Sequence, residues 1–127
     1  VIVGVGVDAI DIDRVESMIA RHRQRAIERL FTAGEAAYAA ARPHPARHLA
    51  ARLAAKEAAY KALAGNDLAR GIAWREIEVQ VSTDGAPTLA LHGLASRRAA
   101  ELRVGRQWVT LTHSDRAAIA MVVLEAL

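Results

Sequence analysis

Cysteine is absent from the 127 residues, which excludes disulfide scaffolds, zinc fingers, iron–sulfur clusters and thiol nucleophiles. Lysine is nearly absent: of the 17 basic residues only Lys56 and Lys61 are lysines, and the other 15 are arginines. Aromatic residues make up only 4% of the chain, so large core-filling side chains are scarce. No window approaches the roughly 18 to 20 consecutive apolar residues of a membrane span. The start, VIVGVGVDAIDIDRV, lacks the basic segment and long apolar stretch of a secretory signal. A cytoplasmic protein without a membrane partner is expected. What fills the chain instead is alanine, 29 residues of it. Net charge is +3 with a pI near 9.9, which favours acidic partners. The length allows one domain over residues 1–127, since two units of about 60 residues would each bury too little surface. So thin a core also favours self-association.

Val1 to Val7 alternates small and β-branched residues and reads as a short buried strand ended by Asp8. From Asp11 to about Leu30 the period changes: Ile12, Val15, Ile19, Ala26 and Leu30 fall within about 60° on a helical wheel, predicting an amphipathic helix broken near its end. Thr32-Ala-Gly-Glu35 fits a capping box, so a second helix runs from there to about Ala41. Arg42-Pro-His-Pro45 breaks it. Arg47 to Ala64 then has no Gly or Pro until Gly65 and predicts the longest helix. Glu76 to Ser82 alternates strictly, Asp84-Gly85 is a turn, and Pro87 to Leu91 returns as the paired strand. Leu94 to Leu102 reads as helix, and Trp108 to Thr112 with Ala117 to Leu124 as a final hairpin around Ser114-Asp115-Arg116. Strand, three helices, two strands, helix and two strands predict an α+β domain rather than a βαβ repeat.

Gly4-x-Gly6-x-x-Ala9 matches a dinucleotide-binding fingerprint in spacing, but the chain lacks the strand–helix alternation of that fold. Glycine near an end strand more often permits tight packing. Glu57 and Lys61, four apart, share one face of the long helix. One reading is a solvated pair. The other starts from the Ala, Leu and Tyr residues around them: if Asp8 faced Glu57, two carboxylates would form a hard oxygen site suited to Mg²⁺, with Lys61 a point charge beside substrate phosphates. His44 and His48 lack a third ligand, so zinc is not expected. His113, at a turn, is either a polar cap, a phosphate donor or a proton acceptor. Arg14, Met18, Arg21 and Arg25 form a ridge on the first helix, with His22 and Arg29 beside it. Such a ridge is either a solvated face or a surface for an acidic partner. No aromatic accompanies it in sequence to stack on bases, which argues against nucleic acid.

Together, Gly4-Val-Gly-Val-Asp8 with Ile12-Asp-Arg14-Val15, Phe31-Thr-x-x-Glu35, Leu49-Ala-Ala-Arg52-Leu-Ala-Ala-Lys56-Glu57-Ala-x-x-Lys61-Ala62 and Leu111-Thr-His113-Ser114 resemble the holo-acyl-carrier-protein synthase family of 4'-phosphopantetheinyl transferases. The blocks follow the family's order across nearly the whole chain. The resemblance implies a small α+β domain with an antiparallel sheet and a long central helix, assembled as a homotrimer with active sites in clefts between subunits. It implies transfer of 4'-phosphopantetheine from coenzyme A to a serine of an apo acyl carrier protein, releasing adenosine 3',5'-bisphosphate. Asp8 and Glu57 match the family's magnesium ligands, and Lys61 its pyrophosphate-binding lysine. Arg52 and His113 match positions near the cofactor's phosphates; Glu57, Lys61 and His113 would be the catalytic set. Gly85 and Pro87 match the cofactor-binding hairpin turn, where Ala86 stands in place of a frequent basic residue. Arg14, Met18, Arg21 and Arg25 fall on the helix that docks the acidic carrier protein in similar proteins. A second reading is a non-catalytic basic adaptor that binds an acidic protein or RNA through the Arg14–Arg29 helix.

Overall fold

β1 runs from Ile2 to Asp11 in this computed structural model, which describes residues 1–127. The strand does not end at Asp8: the ladder to β5 continues through Asp8↔Ala120 to Asp11↔Ala117, so Asp8 projects from a held strand. The Asp11 side chain then accepts from the Asp13 N–H at 2.9 Å, capping α1 (Ile12–Leu30). α1 breaks at His22, with φ −136° and ψ 34°, in its middle and not near its end. The apolar stripe explains the place. Three and four residues beyond Ile19 stand His22 and Arg23, so no apolar residue there holds a straight helix onto the core.

α2 (Ala33–Ala40) carries the expected capping box: Thr32 Oγ1 accepts from the Glu35 N–H at 3.2 Å, and Glu35 Oε1 from the Thr32 N–H at 2.9 Å. α3 (Pro45–Leu63) starts two residues earlier than Arg47, because proline is tolerated in a first helical turn. A short α4 (Asp67–Arg70) and a 3₁₀ turn (Trp74–Glu76) follow, neither of them anticipated. β2 (Ile77–Val81) and β3 (Pro87–Leu91) form a hairpin, α5 spans Gly93–Glu101, and β4 (Val104–His113) and β5 (Ala117–Ala126) close the chain. The main antiparallel sheet has the order β1-β5-β4, with β2-β3 as a separate pair. The α+β class is as expected.

α3 lies across the inner face of the main sheet. Ala50, Ala54, Ala55 and Ala58 have no exposed surface, and the small residues let β1 approach closely. A Cβ on Gly6 would stand 1.8 Å from the Ala58 carbonyl oxygen, and one on Gly4 would stand 2.1 Å from that of Ala62. These glycines are packing residues, which disposes of the dinucleotide reading. Asp8 is next in the same inward row.

A buried ion pair fastens α3 to its other neighbours. Lys56 Nζ lies 2.6 Å from Glu35 Oε1, with both side chains fully buried. The ammonium also donates to the Trp74 and Ile77 carbonyls at 2.9 and 2.6 Å, and Glu35 Oε2 accepts from the Val79 N–H at 2.8 Å. Burial pulls the Lys56 pKa below its ordinary 10.5, and the Glu35 carboxylate opposes that shift. Opposite α3, the outer face of the sheet exposes Val5, Val7, Trp108, Ile119 and Met121. No helix of the chain is long and apolar enough to cross a membrane.

Candidate active site

Asp8 and Glu57 meet at one end of the β1–α3 contact. Both carboxyl groups line a cleft of about 480 Å³ whose wall includes Arg14, Met18 and Leu53. Lys61 is brought to the same place but pairs with Asp8 rather than Glu57: Nζ donates to Asp8 Oδ1 at 2.9 Å and to the Val7 carbonyl at 3.1 Å. The solvated Glu57–Lys61 pair of the bland reading does not form.

Burial pushes the Glu57 pKa from its ordinary 4.5 up to about 7, and the neighbouring Asp8 carboxyl adds to the rise. Burial also pushes Asp8 upward, but the neighbouring Glu57 and Lys61 outweigh it and leave that carboxyl below its ordinary 3.8. Lys61 is raised, chiefly by its hydrogen bond to Asp8. The two carboxyls therefore hold one proton between them near neutrality. Between pH 4.5 and about 7 the folded chain keeps a proton on Glu57 that the unfolded chain has lost. Metal-free stability therefore falls as pH rises through this window. Thermal denaturation from pH 5 to 7.5 should show this decline, and Glu57→Gln should flatten it; an unchanged slope in the variant would refute the raised pKa.

The pair fits a divalent cation. Asp8 Oδ2 is buried without a hydrogen-bond partner, and two facing carboxylates are a hard oxygen donor set that a cation would relieve of its proton. No group of three or more His, Cys, Asp or Glu residues is positioned to bind a metal. Remaining ligands to such an ion would be waters and substrate oxygens, the habit of Mg²⁺.

Arg52 is not at this cleft. It is buried at 4% exposure on the opposite side of α3, in a second cleft of about 530 Å³ bordered by Gly34, Tyr38, Arg42 and the β2 residues Glu78–Val81. Its guanidinium lies 3.9 Å from the Tyr38 ring centroid, and that of Arg42 lies 3.4 Å from it. Arg52 Nη1 donates to the His48 carbonyl at 3.4 Å, while its buried Nε has no partner. An anion would supply one. Burial lowers the His48 pKa, and the charges of Arg52, Arg42 and His113 lower it further, so His113 belongs to this basic neighbourhood. His113 sits on β4 in the row His113–Ala118–Ile10. Two strand spacings of about 4.8 Å each separate β4 from β1. The β2–β3 hairpin extends from the second cleft to the tip bearing Gly85, at φ 89°, and to Pro87, which pairs with Val81. The Ala86 N–H donates to Asp84 Oδ1 at 3.1 Å and closes that turn. Within one chain Asp8, Glu57 and Lys61 stand on one side of α3 and Arg52 on the other, with Pro87 paired to Val81 at the rim of the Arg52 cleft; the lining of neither cleft includes Gly85 or His113.

The arginine ridge adjoins the carboxylate cleft. Arg14 and Met18 line both the carboxylate cleft and a neighbouring cleft that includes Arg21 and His22. Beyond the His22 break, Arg25 and Arg29 flank a wider groove of about 720 Å³ floored by Met18, Leu30 and Trp74. Trp74 was invisible as a member of this surface, because the 3₁₀ turn brings it there from 45 or more positions along the chain. An aromatic does accompany the ridge in space. Arg42, Tyr38 and the buried Lys56 were likewise missed; only the Arg42-Pro break and the ARLAAKEAAYKAL motif pointed near them.

Residues 4–122 match the family model of the 4'-phosphopantetheinyl transferase superfamily. The chain is 42% identical over 124 residues to the holo-[acyl-carrier-protein] synthase of Geobacter metallireducens, covering 98% of each. Among solved structures, the acyl carrier protein synthase of Mycobacterium tuberculosis is 36% identical with a TM-score of 0.75 and 100% of both chains covered. The holo-(acyl-carrier-protein) synthase of Bacillus anthracis, solved in complex with CoA (3',5'-ADP), is 30% identical with a TM-score of 0.79, covering 99% of this chain and 98% of that one. Motifs, fold and near-complete coverage agree: the chain belongs to the holo-[acyl-carrier-protein] synthases of the 4'-phosphopantetheinyl transferase superfamily.

Proposed function

We propose that this synthase transfers 4'-phosphopantetheine from coenzyme A to a serine of an apo acyl carrier protein in the cytoplasm, with Mg²⁺ held by Asp8 and Glu57 and adenosine 3',5'-bisphosphate released. The observation that carries this reading is the half-buried carboxylate pair, beside Lys61, opening directly onto the arginine ridge. Membership of an enzyme family sets aside the non-catalytic adaptor.

Bound Mg²⁺ would supply neutralisation of phosphate charge and orientation of its oxygens. Lys61 adds a mobile positive charge for the pyrophosphate. The serine oxygen bonds to phosphorus as the phosphoanhydride bond breaks, its proton passing to water or to the departing adenosine 3',5'-bisphosphate, so the protein provides positioning and charge rather than a nucleophile. Arg14, Met18, Arg21 and Arg25 hold the acidic carrier so that its serine faces Asp8 and Glu57. Arg52 and His113 bind further phosphate of coenzyme A, with Gly85 and Pro87 against the cofactor at the hairpin tip.

Asp8, Glu57 and Lys61 stand on the opposite side of α3 from Arg52, so one copy offers each substrate only part of a site. A homotrimer resolves this by setting one copy's carboxylate cleft beside its neighbour's basic cleft. The exposed Val5, Val7, Trp108, Ile119 and Met121 on the outer sheet face support burial against other copies. The test is the mass of apo acyl carrier protein after incubation with the chain, CoA and Mg²⁺, alongside the native mass of the enzyme. A gain of one phosphopantetheinyl group, from an assembly three times 13.6 kDa, is expected. An unchanged carrier or a monomeric active enzyme would refute the corresponding part.

A further inference from the structure

We propose that Lys61 is the built-in counter-ion of the carboxylate pair, occupying Asp8 in the metal-free enzyme and released to the substrate phosphates when a divalent cation takes its place. The inference rests on the assignment of Asp8 and Glu57 to a divalent cation. It adds that the cation and the lysine compete for the same oxygen.

Three features point to this exchange. The ammonium is bound at two points, Asp8 Oδ1 at 2.9 Å and the Val7 carbonyl at 3.1 Å, so it occupies a defined position over β1 instead of trailing in solvent. Its ion pair is with Asp8, on another element, although Glu57 stands four residues away on the same helix. Lastly, the occupation is incomplete: Asp8 Oδ2 is buried and unpartnered, and the Glu57 carboxyl lines the same cleft. A single positive charge thus covers one of the pair's oxygens. A dication that reaches both carboxylates satisfies more of them.

The lysine is suited to leaving. Its side chain is 55% exposed, against 16% for Asp8, and an exposed ammonium–carboxylate pair contributes little stability. The four-carbon stem allows Nζ to move without shifting α3. Once displaced, Lys61 is an unpaired cation beside the cation site, which is unfavourable until a polyanion accepts it. Metal and pyrophosphate therefore assist each other: each removes the cost that the other would meet alone. By linkage the assistance is reciprocal.

The test is Mn²⁺ binding followed by electron paramagnetic resonance, with CoA absent and then present, in the wild-type chain and in Lys61→Met and Lys61→Gln. Thermal denaturation confirms that each variant is folded. Without CoA, removal of the competing ammonium should tighten Mn²⁺ binding about fivefold, the worth of a favourable exposed ion pair. CoA should tighten Mn²⁺ binding in the wild type and do so much less in the variants. A lysine that serves only to bind phosphate predicts equal Mn²⁺ affinity without CoA; that result, or weaker binding in both variants, would overturn the exchange. Failure of the wild type to bind Mn²⁺ even with CoA would overturn the metal assignment itself, and the exchange with it.

Discussion

Lys56→Met should destabilise the fold by about 3 to 5 kcal/mol, the typical consequence of leaving one member of a buried ion pair without its partner. Domains of this kind have only about 5 to 15 kcal/mol in total, so the variant would approach unfolding at physiological temperature. The geometry explains the size. Glu35 would keep a carboxylate with no exposed surface, still bound to the Thr32 and Val79 N–H groups but facing a thioether. The Trp74 and Ile77 carbonyls would lose their donor. Urea denaturation of Lys56→Met, Glu35→Gln and the double variant gives the coupling between the two sites. A loss in the double variant well below the sum of the single losses is expected. Additive losses, or a single loss below about 1 kcal/mol, would show that the pair is not held as described.

Asp8→Asn and Glu57→Gln should each lower phosphopantetheinyl transfer by about 10²- to 10³-fold, the scale of removing one preorganised electrostatic contact from a reacting centre. Both substitutions nearly conserve shape, so the fold should be kept. The measurement is the rate of carrier mass gain at saturating CoA and carrier across a range of Mg²⁺. Loss of rate with unchanged carrier affinity separates this role from docking. Arg21→Ala and Arg25→Ala, set in the ridge away from the carboxylates, provide the contrast of weakened carrier binding. Transfer within threefold of wild type in Asp8→Asn and Glu57→Gln would contradict the assignment.

Much of the fold could be read locally. The Thr32–Glu35 capping box and the bounds of β3 follow from rules acting over a few residues, and both are as expected; α3 starts at Pro45 rather than Arg47 and, at 19 residues, equals α1 instead of exceeding it. The apposition of Asp8 and Glu57 was legible only through motif context, since no spacing rule links positions on a strand and a distant helix. One feature escaped because its cause is long-range. β1 continues past Asp8 because β5 supplies ladder partners as far as Ala117. The break in α1 was expected nearer the helix end and falls at His22, where His22 and Arg23 interrupt the apolar stripe. The far-side position of Arg52 is legible in its five-residue spacing from Glu57, about 140° on the helix; its burial against Tyr38 is not.

The two lysines mark the boundary between what each level decides. Composition made them rare, and one short motif placed both on a single helix five residues apart. Five residues turn a helix by about 500°, which amounts to 140° between the two side chains, so the sequence alone already sent them to different faces. It also dictated the glycine and alanine spacing that lets β1 lie against α3, since a missing side chain is a property of the residue itself. Only the tertiary structure decided what each face meets: the Glu35 carboxylate and two backbone carbonyls for Lys56, the rim of a carboxylate cleft for Lys61. The physical reason is that burial and charge pairing depend on elements brought together across the chain. The same ammonium group is a fixed part of the core where water is excluded and an exchangeable counter-ion where water remains.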